Sequence, residues 1–291
     1  MSLITRIKAK LDRDRKRRRA LSSIQALRSR GDADLAKLAD ALDRAARDTD
    51  WSQDELACFE NVRAIRQSYA TSDRMISVRD FGAGDPGDRR TEEQMDQGVL
   101  VRRSIATICK VAATPPQWGK VLFAIVRAFR PACSLELGTS LGISAAYQVL
   151  GMKLNGQGRL TTIEGAEELA RLAGETLQGL GWNGVQVLAG RFADVLPDLA
   201  RSSEPIGLAF VDGHHDQVAT KRYFEMIHPF LAQHAVLVFD DIGWSDGMRA
   251  VWKEIRSDAR VKYAVDLDKW GICLLEKDVK GPKAPSCAIA I

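Results

Sequence analysis

Short apolar runs alternate along this chain with longer stretches in which apolar residues recur at helical spacing. The runs predict buried strands, and the periodic stretches predict amphipathic helices. Beyond residue 130, the predicted strands are a run that ends at Gly138 and residues 159–163, 185–188, 206–211, 235–239, 261–266 and 271–276. One helix is predicted to start near Ser144, and three more are predicted over residues 166–180, 221–231 and 247–257. These repeated units predict an α/β fold with a doubly wound, mostly parallel, Rossmann-like sheet, whose last two strands form a hairpin.

The first 70 residues predict a helical extension in front of this sheet. One helix is predicted over residues 3–30, with five consecutive basic residues at 15–19, and a second helix over residues 35–42. Ser52 and Glu55 form a capping box, which predicts the start of a third helix. Further on, a short strand is predicted at residues 75–79 and helices at 99–111 and 118–129. The predicted organisation is a helical N-terminal extension with a basic arm (1–70), an α/β domain (71–277) and a flexible tail (278–291).

Charge is concentrated at the amino-terminal end. Residues 1–30 contain eleven Lys and Arg and two Asp, so their net charge is +9. The rest of the chain has a net charge of −5, which gives +4 for the whole chain. A protein that binds nucleic acid along its body is expected to be basic there. The alternatives for the arm are therefore a solvated helix, or a contact with a polyanion or a membrane surface.

Cysteine content and hydropathy indicate the compartment. The five cysteines are odd in number and widely spaced, which predicts reduced thiols and a cytoplasmic location. No apolar run approaches the roughly 20 residues of a membrane span. The basic amino-terminal end is not followed by an apolar run, so no signal peptide is predicted.

The most informative stretch is residues 133–150, where an apolar run, a Gly/Ser/Thr turn and an Ala-rich helix follow one another. The turn reads Glu136-x-Gly138-x-Ser140-x-Gly142. In an open α/β sheet, such a turn presents free backbone N–H groups at the carboxyl end of a strand, where ligands bind. The spacing does not match the dinucleotide fingerprint, which has a third glycine. Glu136 suits a ligand amine or a bound water network. The alternative is an ordinary strand–helix turn.

Acidic residues end the strands that follow. Glu164 can accept hydrogen bonds from both hydroxyls of a ribose, or it caps the next helix. Asp212 and the pair Asp240 and Asp241 end two further strands, and their oxygens suit a divalent cation such as Mg²⁺. The alternative for Asp241 is that it only caps the following segment.

A histidine follows one of these carboxylates. His215 lies just past a strand end, which favours a general base, and His214 is its competitor. Trp244 lies beside the acidic pair in sequence and is a candidate wall of a substrate pocket, or a core aromatic.

These motifs resemble a known family. Glu-Leu-Gly-Thr-Ser-Leu-Gly-Ile-Ser at 136–144 resembles the first motif of class I S-adenosylmethionine-dependent methyltransferases, closest to the catechol and caffeoyl-CoA O-methyltransferases. Thr-Ile-Glu-Gly at 162–165 resembles their ribose-binding motif, and residues 210–215 and 238–241 resemble the strand ends that carry metal ligands and base. The likeness covers residues 51–275 and also extends to an uncharacterised bacterial group of methyltransferases.

The resemblance implies S-adenosylmethionine-dependent O-methylation of a small molecule, assisted by Mg²⁺, another divalent cation or a histidine. The implied cofactor-binding residues are Glu136, Gly138, Thr139, Ser140, Gly142, Ser144, Glu164, Gly165, Arg191, Phe192 and Asp212. The implied metal ligands are Asp212, Asp240 and Asp241, and the implied catalytic residues are His215 and Asp212. By the same likeness, Glu164 holds the ribose, Arg191 and Phe192 flank the adenine, and residues 80–85 close over the site as a lid.

Two departures from the family pattern stand out. The catechol-type pattern has Asp-Asn where this chain has Asp240 and Asp241, and no lysine follows Asp212 in the place of that family's base. His215 is therefore the expected base. The alternative function is methylation of RNA or protein recruited by the basic arm, and a third is a non-catalytic module that docks on a membrane. The expected partners are a small-molecule methyl acceptor and a second copy of the chain.

Overall fold

The computed structural model of the protein describes residues 19–82, 84, 88, 90–202, 204–277 and 287–288, with only the backbone for residues 200–202 and 287–288. The helices are α1 (19–28), α2 (Ala33–Arg47), α3 (Gln53–Ala70), α4 (Glu92–Gln97), α5 (Ile105–Ala112), α6 (Pro116–Phe129), α7 (Ile143–Asn155), α8 (Glu167–Gln178), α9 (Phe192–Ser202), α10 (Gln217–Ile227) and α11 (Asp246–Ile255). The strands are β1 (Met75–Asp80), β2 (Val99–Ser104), β3 (Cys133–Leu137), β4 (Arg159–Glu164), β5 (Val185–Ala189), β6 (Ile206–Val211), β7 (Leu231–Phe239), β8 (Val261–Asp266), β9 (Gly271–Glu276) and β10 (Cys287–Ala288). A 3₁₀ turn, His228–Phe230, joins α10 to β7.

The main sheet has the strand order β10–β8–β9–β7–β6–β3–β4–β5. Strands β7, β6, β3, β4 and β5 are parallel, whereas β9 runs antiparallel to both β7 and β8. The predicted doubly wound, mostly parallel sheet and its closing hairpin are thus confirmed. In the predicted tail, β10 pairs with β8, and the remaining residues from 278 onward lie outside the described part.

Helices cover both faces of this sheet because the central strands are apolar on both sides. In β6, Leu208 and Phe210 belong to a cluster with α2, α3, α6 and α7, while Ala209 and Val211 belong to a second cluster with α9, α10 and α11. Strand β3 is buried at every position. Because the middle of such a sheet is inaccessible, functional groups can gather only at the strand ends.

The described part of the N-terminal extension packs onto this core. Helix α2 lies against α6, and Leu38 is fully buried in the same cluster as Phe123. The predicted capping box is present, since the Ser52 hydroxyl accepts from the Glu55 N–H and the Glu55 carboxylate accepts from the Ser52 N–H. Residues 1–18, with most of the basic arm, lie outside the described part. Within the described ranges, no helix is both long and apolar enough to cross a membrane.

Two elements differ from the prediction. The predicted helix at 99–111 is wrong in its first half, because Val99–Ser104 forms β2, which pairs antiparallel with β1. The helix of this segment begins only at Ile105, behind the Ser104 cap. Helix α9 was not predicted, and Pro197 lies inside it, where a proline normally argues against a helix.

Candidate active site

The carboxyl ends of β3, β4, β6 and β7 open into a cavity of about 640 Å³. This volume lies within the roughly 300–1,000 Å³ of small-molecule sites. Parallel strands bring their carboxyl ends to one edge of the sheet, so residues far apart in sequence become neighbours there. The predicted site residues that line the cavity are Gly138, Ser140, Glu164, Gly165, Arg191, Phe192, Asp212, His215, Asp240 and Asp241.

A second cavity, of about 520 Å³, lies at the opposite edge, where residues such as Cys133 and Ile206 begin their strands. Its charged residues Arg159 and Glu204 form an ion pair at 2.6 Å. They neutralise each other, whereas several carboxylates converge at the carboxyl edge. The first cavity is therefore the candidate active site.

The glycine loop after β3 fits closely against the end of β6. Gly138 has a φ of +97°, and a Cβ there would lie 1.7 Å from the carbonyl oxygen of Asp212. Gly142 caps α7 with a φ of +78°. The sequence predicts free backbone N–H groups in this loop, but two of them already have acceptors. The Gly138 N–H donates to Ile163 O at 2.9 Å, and the Ser140 N–H donates to Glu164 Oε2 at 2.7 Å. The loop therefore shapes the cavity mainly through its close backbone path.

Glu164 is held in place at the end of β4. Its Oε2 accepts from the Ser140 N–H at 2.7 Å, and its Oε1 accepts from the Ala166 N–H at 2.9 Å. Burial raises the pKa of the Glu164 carboxyl, and these N–H groups act in the opposite direction. Each carboxylate oxygen has a further lone pair, so Glu164 can still accept hydrogen bonds from a ligand in the cavity.

Three of the predicted cofactor-binding side chains lie behind the loop and do not line the cavity. Glu136 is fully buried and accepts from Thr162 Oγ1 at 2.7 Å and from Gln148 Nε2 at 3.1 Å. Burial raises its pKa to about 7. Thr139 hydrogen-bonds Thr162 through its hydroxyl at 2.5 Å, and Ser144 is buried. The Glu136 carboxylate therefore supports the loop from below, and it is not directed at a ligand amine.

An aromatic wall stands where β5 leads into α9. The Phe192 ring packs edge-on against His214 at 5.7 Å and against Tyr223 at 5.4 Å, measured between centroids. His214 Nδ1 lies 3.0 Å from the Tyr223 hydroxyl, and burial lowers the pKa of His214 to about 4. His214 is thus a neutral wall residue. Arg191, at the same junction, forms an ion pair with Asp96.

His215 lies between two of the predicted carboxylates. Its Nε2 is 3.6 Å from Asp212 Oδ1 and 4.0 Å from Asp241 Oδ2. Its ring lies beside Trp244, with centroids 5.9 Å apart. Burial, and then the charges of Asp240 and Asp241, raises the pKa of Asp212 well above its ordinary value. His215 Nε2 thus lies between two carboxyl groups inside the cavity, a position that suits a general base.

Lys269, which the sequence does not single out, completes this cluster from the turn between β8 and β9. Its Nζ lies 2.6 Å from Asp240 Oδ1 and also contacts Asp241 Oδ1. Burial alone lowers the pKa of Lys269, but the two carboxylates outweigh it and the net shift is upward. Lys269 follows Asp240 by 29 residues, and no motif spacing could have linked them.

The predicted metal site is not supported by this arrangement. Asp212, Asp240 and Asp241 do come together, but the Lys269 ammonium already binds oxygens of the last two. In the described part of the chain, no group of three or more His, Cys, Asp or Glu side chains is arranged to hold a metal ion. The residues present therefore do not fit a divalent cation.

The end of β1 borders the cavity from outside. The Phe81 ring covers Gly165, where a Cβ would lie 2.6 Å from Cδ2 of that ring. Arg90 forms an ion pair with Asp80 at 3.1 Å. The described residues of the predicted lid thus line the cavity, while residues 83 and 85 lie outside the described part and closure remains a prediction.

Residues 135–242, from β3 to just past β7, match a family model described as a methyltransferase domain. This part of the chain is thus similar to known methyltransferase domains. It contains the glycine loop and every predicted cofactor, metal and base residue discussed above. The predicted resemblance to class I methyltransferases is therefore confirmed.

Several known proteins are similar to parts of this chain. A protein named "Putative O-methyltransferase" from Mycobacterium sp. (strain JLS) is 31% identical over 120 residues, which are 40% of this chain and 53% of that protein. The chain thus spans about half the length of the curated relatives it matches. Cofactor-bound Rv0187 from MTB is 21% identical with a TM-score of 0.53, over 75% of this chain and 89% of its own, which confirms the fold. The O-methyltransferase TomG from Streptomyces achromogenes, solved with SAM, is 24% identical with a TM-score of 0.49, over 56% and 81% of the two chains.

Proposed function

We propose that this protein transfers the methyl group of S-adenosylmethionine to a hydroxyl oxygen of a small molecule. One observation carries the proposal: the methyltransferase loop, Glu164 and the cluster of Asp212 and His215 line the same cavity. A cofactor and an acceptor can therefore lie side by side there. Holding two reactants in line is a large part of what such a reaction requires.

The binding part of the cavity suits a nucleoside. Glu164 accepts hydrogen bonds from the ribose hydroxyls, and Phe192 offers a ring for the adenine. Gly138 has no side chain to fill the cavity, which leaves room for the methionine part of the cofactor. Asp212, at the end of β6, completes this half of the cavity.

The reacting part centres on His215. When bound, the cofactor supplies a methyl carbon on a positively charged sulfur, which an acceptor oxygen attacks in line. His215 Nε2 takes the proton of the acceptor hydroxyl, and Asp212 and Asp241 at 3.6 and 4.0 Å stabilise the resulting imidazolium. Metal assistance is not part of the proposal, because Lys269 already pairs with the carboxylates that would bind the ion.

The alternative of an RNA or protein substrate rests on the basic arm. Most of that arm, residues 1–18, lies outside the described part. Deleting residues 1–18 leaves methylation of a small acceptor unchanged under our proposal.

Titration calorimetry with S-adenosylhomocysteine tests the cofactor half of the proposal. The wild type is expected to bind one equivalent. Glu164→Gln replaces a charged acceptor of two ligand hydrogen bonds, so we expect about 10- to 100-fold weaker binding. Glu167→Gln, an exposed neighbour at the start of α8, is the matched control and keeps wild-type affinity. Absence of heat with the wild type would overturn the proposal.

A transfer assay tests the acceptor half. Formation of S-adenosylhomocysteine from S-adenosylmethionine is measured over a panel of phenols and other small hydroxy compounds. Turnover with at least one of them, and its loss in His215→Asn with cofactor binding intact, is the expected result. Methylation confined to amines or to macromolecules would refute O-methylation of a small molecule.

A further inference from the structure

We propose that the Lys269 ammonium takes the place of a divalent cation in this site, so that methyl transfer proceeds without a metal ion. The inference rests on the proposed O-methyl transfer. It concerns the acceptor half of the cavity, which Lys269 lines together with Asp240, Asp241 and Trp244.

Lys269 is held rigidly by the turn that carries it. The Leu267 N–H donates to Trp270 O at 2.8 Å, and the Ile242 N–H donates to Lys269 O at 3.0 Å. Trp270 is fully buried and packs against Trp118 with ring centroids 4.8 Å apart. The turn is thus anchored in the core and tied to the segment after β7, so the lysine is a fixed part of the site.

The ammonium uses the oxygens that a metal would need. Lys269 Nζ binds Asp240 Oδ1 at 2.6 Å and contacts Asp241 Oδ1, while Asp240 Oδ1 also accepts the Asp241 N–H at 2.6 Å. Mg²⁺ and Ca²⁺ bind carboxylate oxygens at roughly 2.0–2.6 Å. An ion at that distance from these oxygens would lie next to the ammonium, and two cations so close repel each other strongly.

Lys269 also provides the function that a metal supplies to an acceptor. An ammonium has three N–H donors, and two are directed to Asp240 and Asp241. The third donates to the acceptor oxygen, where it stabilises the negative charge that develops as the proton leaves for His215. Asp241 links the two groups, since it contacts both Lys269 and His215. Removing such a donor from a reacting oxygen typically costs about 10²- to 10³-fold in rate.

Mn²⁺ binding, followed by electron paramagnetic resonance, tests the occupancy of this position without any acceptor. We expect no stoichiometric Mn²⁺ binding by the wild type. Lys269→Met removes the charge at similar length and frees Asp240 and Asp241 next to Asp212, so it is expected to bind one Mn²⁺. The double variant Lys269→Met with Asp240→Asn loses that ion again.

A second lysine on the same hairpin is the matched control. Lys262 bridges Asp32 at 2.7 Å and Glu276 at 2.5 Å, outside the cavity. Lys262→Met also frees two carboxylates, but without a third carboxylate it is expected to bind no Mn²⁺. Binding in both methionine variants would show a general effect of exposing carboxylates and would overturn the inference.

The remaining outcomes also decide. Stoichiometric Mn²⁺ uptake by the wild type that disappears in Asp240→Asn would refute the inference without any lysine variant. A Lys269→Met protein that still binds S-adenosylhomocysteine but takes up no Mn²⁺ would refute it as well. In the transfer assay, wild-type turnover is expected to withstand EDTA, and turnover that stops with EDTA and returns with Mg²⁺ would overturn the inference. Binding of S-adenosylhomocysteine is the separate test of the proposed function, so the two can fail independently.

Discussion

Replacing Gly138 with alanine tests whether the glycine loop and the end of β6 form one tightly packed rim. Two effects act together. The residue has a φ of +97°, and the new Cβ would lie 1.7 Å from the backbone carbonyl oxygen of Asp212. Because that oxygen belongs to the main chain, no side-chain rotation relieves the contact, and the loop must move away from β6.

The magnitude follows from these two terms. A left-handed backbone conformation costs a non-glycine residue about 1–2 kcal/mol. Forcing an extra carbon into a packed site costs about 1–3 kcal/mol more. We therefore expect Gly138→Ala to lower the free energy of unfolding by about 2–5 kcal/mol, a large share of the roughly 5–15 kcal/mol of a typical domain. The displaced loop should also weaken binding of S-adenosylhomocysteine.

Urea unfolding followed by circular dichroism measures the first effect. Gly156→Ala is the matched control, because Gly156 has a φ of +66° but no atom within 4 Å of its added Cβ. It should show only the backbone term of about 1–2 kcal/mol and keep wild-type cofactor affinity. Equal losses of stability in the two variants would show that the rim is not tightly packed, and the reasoning about the loop would be wrong.

Three further predictions concern single residues that line the cavity or support its glycine loop. Burial holds the pKa of His214 at about 4, below its usual 6.5, so the folded state resists protonation of this ring. The free energy of unfolding of the wild type should therefore fall by up to about 3 kcal/mol relative to His214→Phe as the pH falls from 6.5 to 4. The pKa of Glu136 is raised from 4.5 to about 7, so the folded state resists ionisation of this carboxyl. Here the free energy of unfolding of the wild type should fall by up to about 3 kcal/mol relative to Glu136→Gln as the pH rises from 4.5 to 7. Unfolding titrations across this range measure both, and a stability difference that does not vary with pH would contradict either one. Trp244→Ala, which removes the ring beside His215, should slow transfer while S-adenosylhomocysteine binds as before, and weakened cofactor binding would place Trp244 in the other half of the cavity.

Much of the architecture follows from local sequence patterns. Apolar runs bounded by polar residues place the strands from β3 to β9, because a strand covered on both faces must be apolar along its length. The polar residues that end those runs, such as Glu164 and Asp212, are then brought to one edge by parallel pairing. The candidate site was predictable from this regularity, and so was the capping box at Ser52.

Pairing between distant segments was not predictable in the same way. Val99–Ser104 forms a strand only because β1 lies beside it, and its apolar spacing alone is equally compatible with a helix. Burial also decides roles, since Glu136 and His214 carry side chains suited to a site but are committed to hydrogen bonds within the protein.

The sequence by itself determined the sheet, its glycine turn and the carboxylates at its edge, because each depends on residues adjacent in the chain. Only the tertiary structure decided that Lys269 meets Asp240 and Asp241. The hairpin of β8 and β9 was predicted, but its pairing with β7, which brings the ammonium there, is not encoded in a local motif. The physical reason is that charge pairing in a folded protein depends on distance in space, which sequence separation does not reveal.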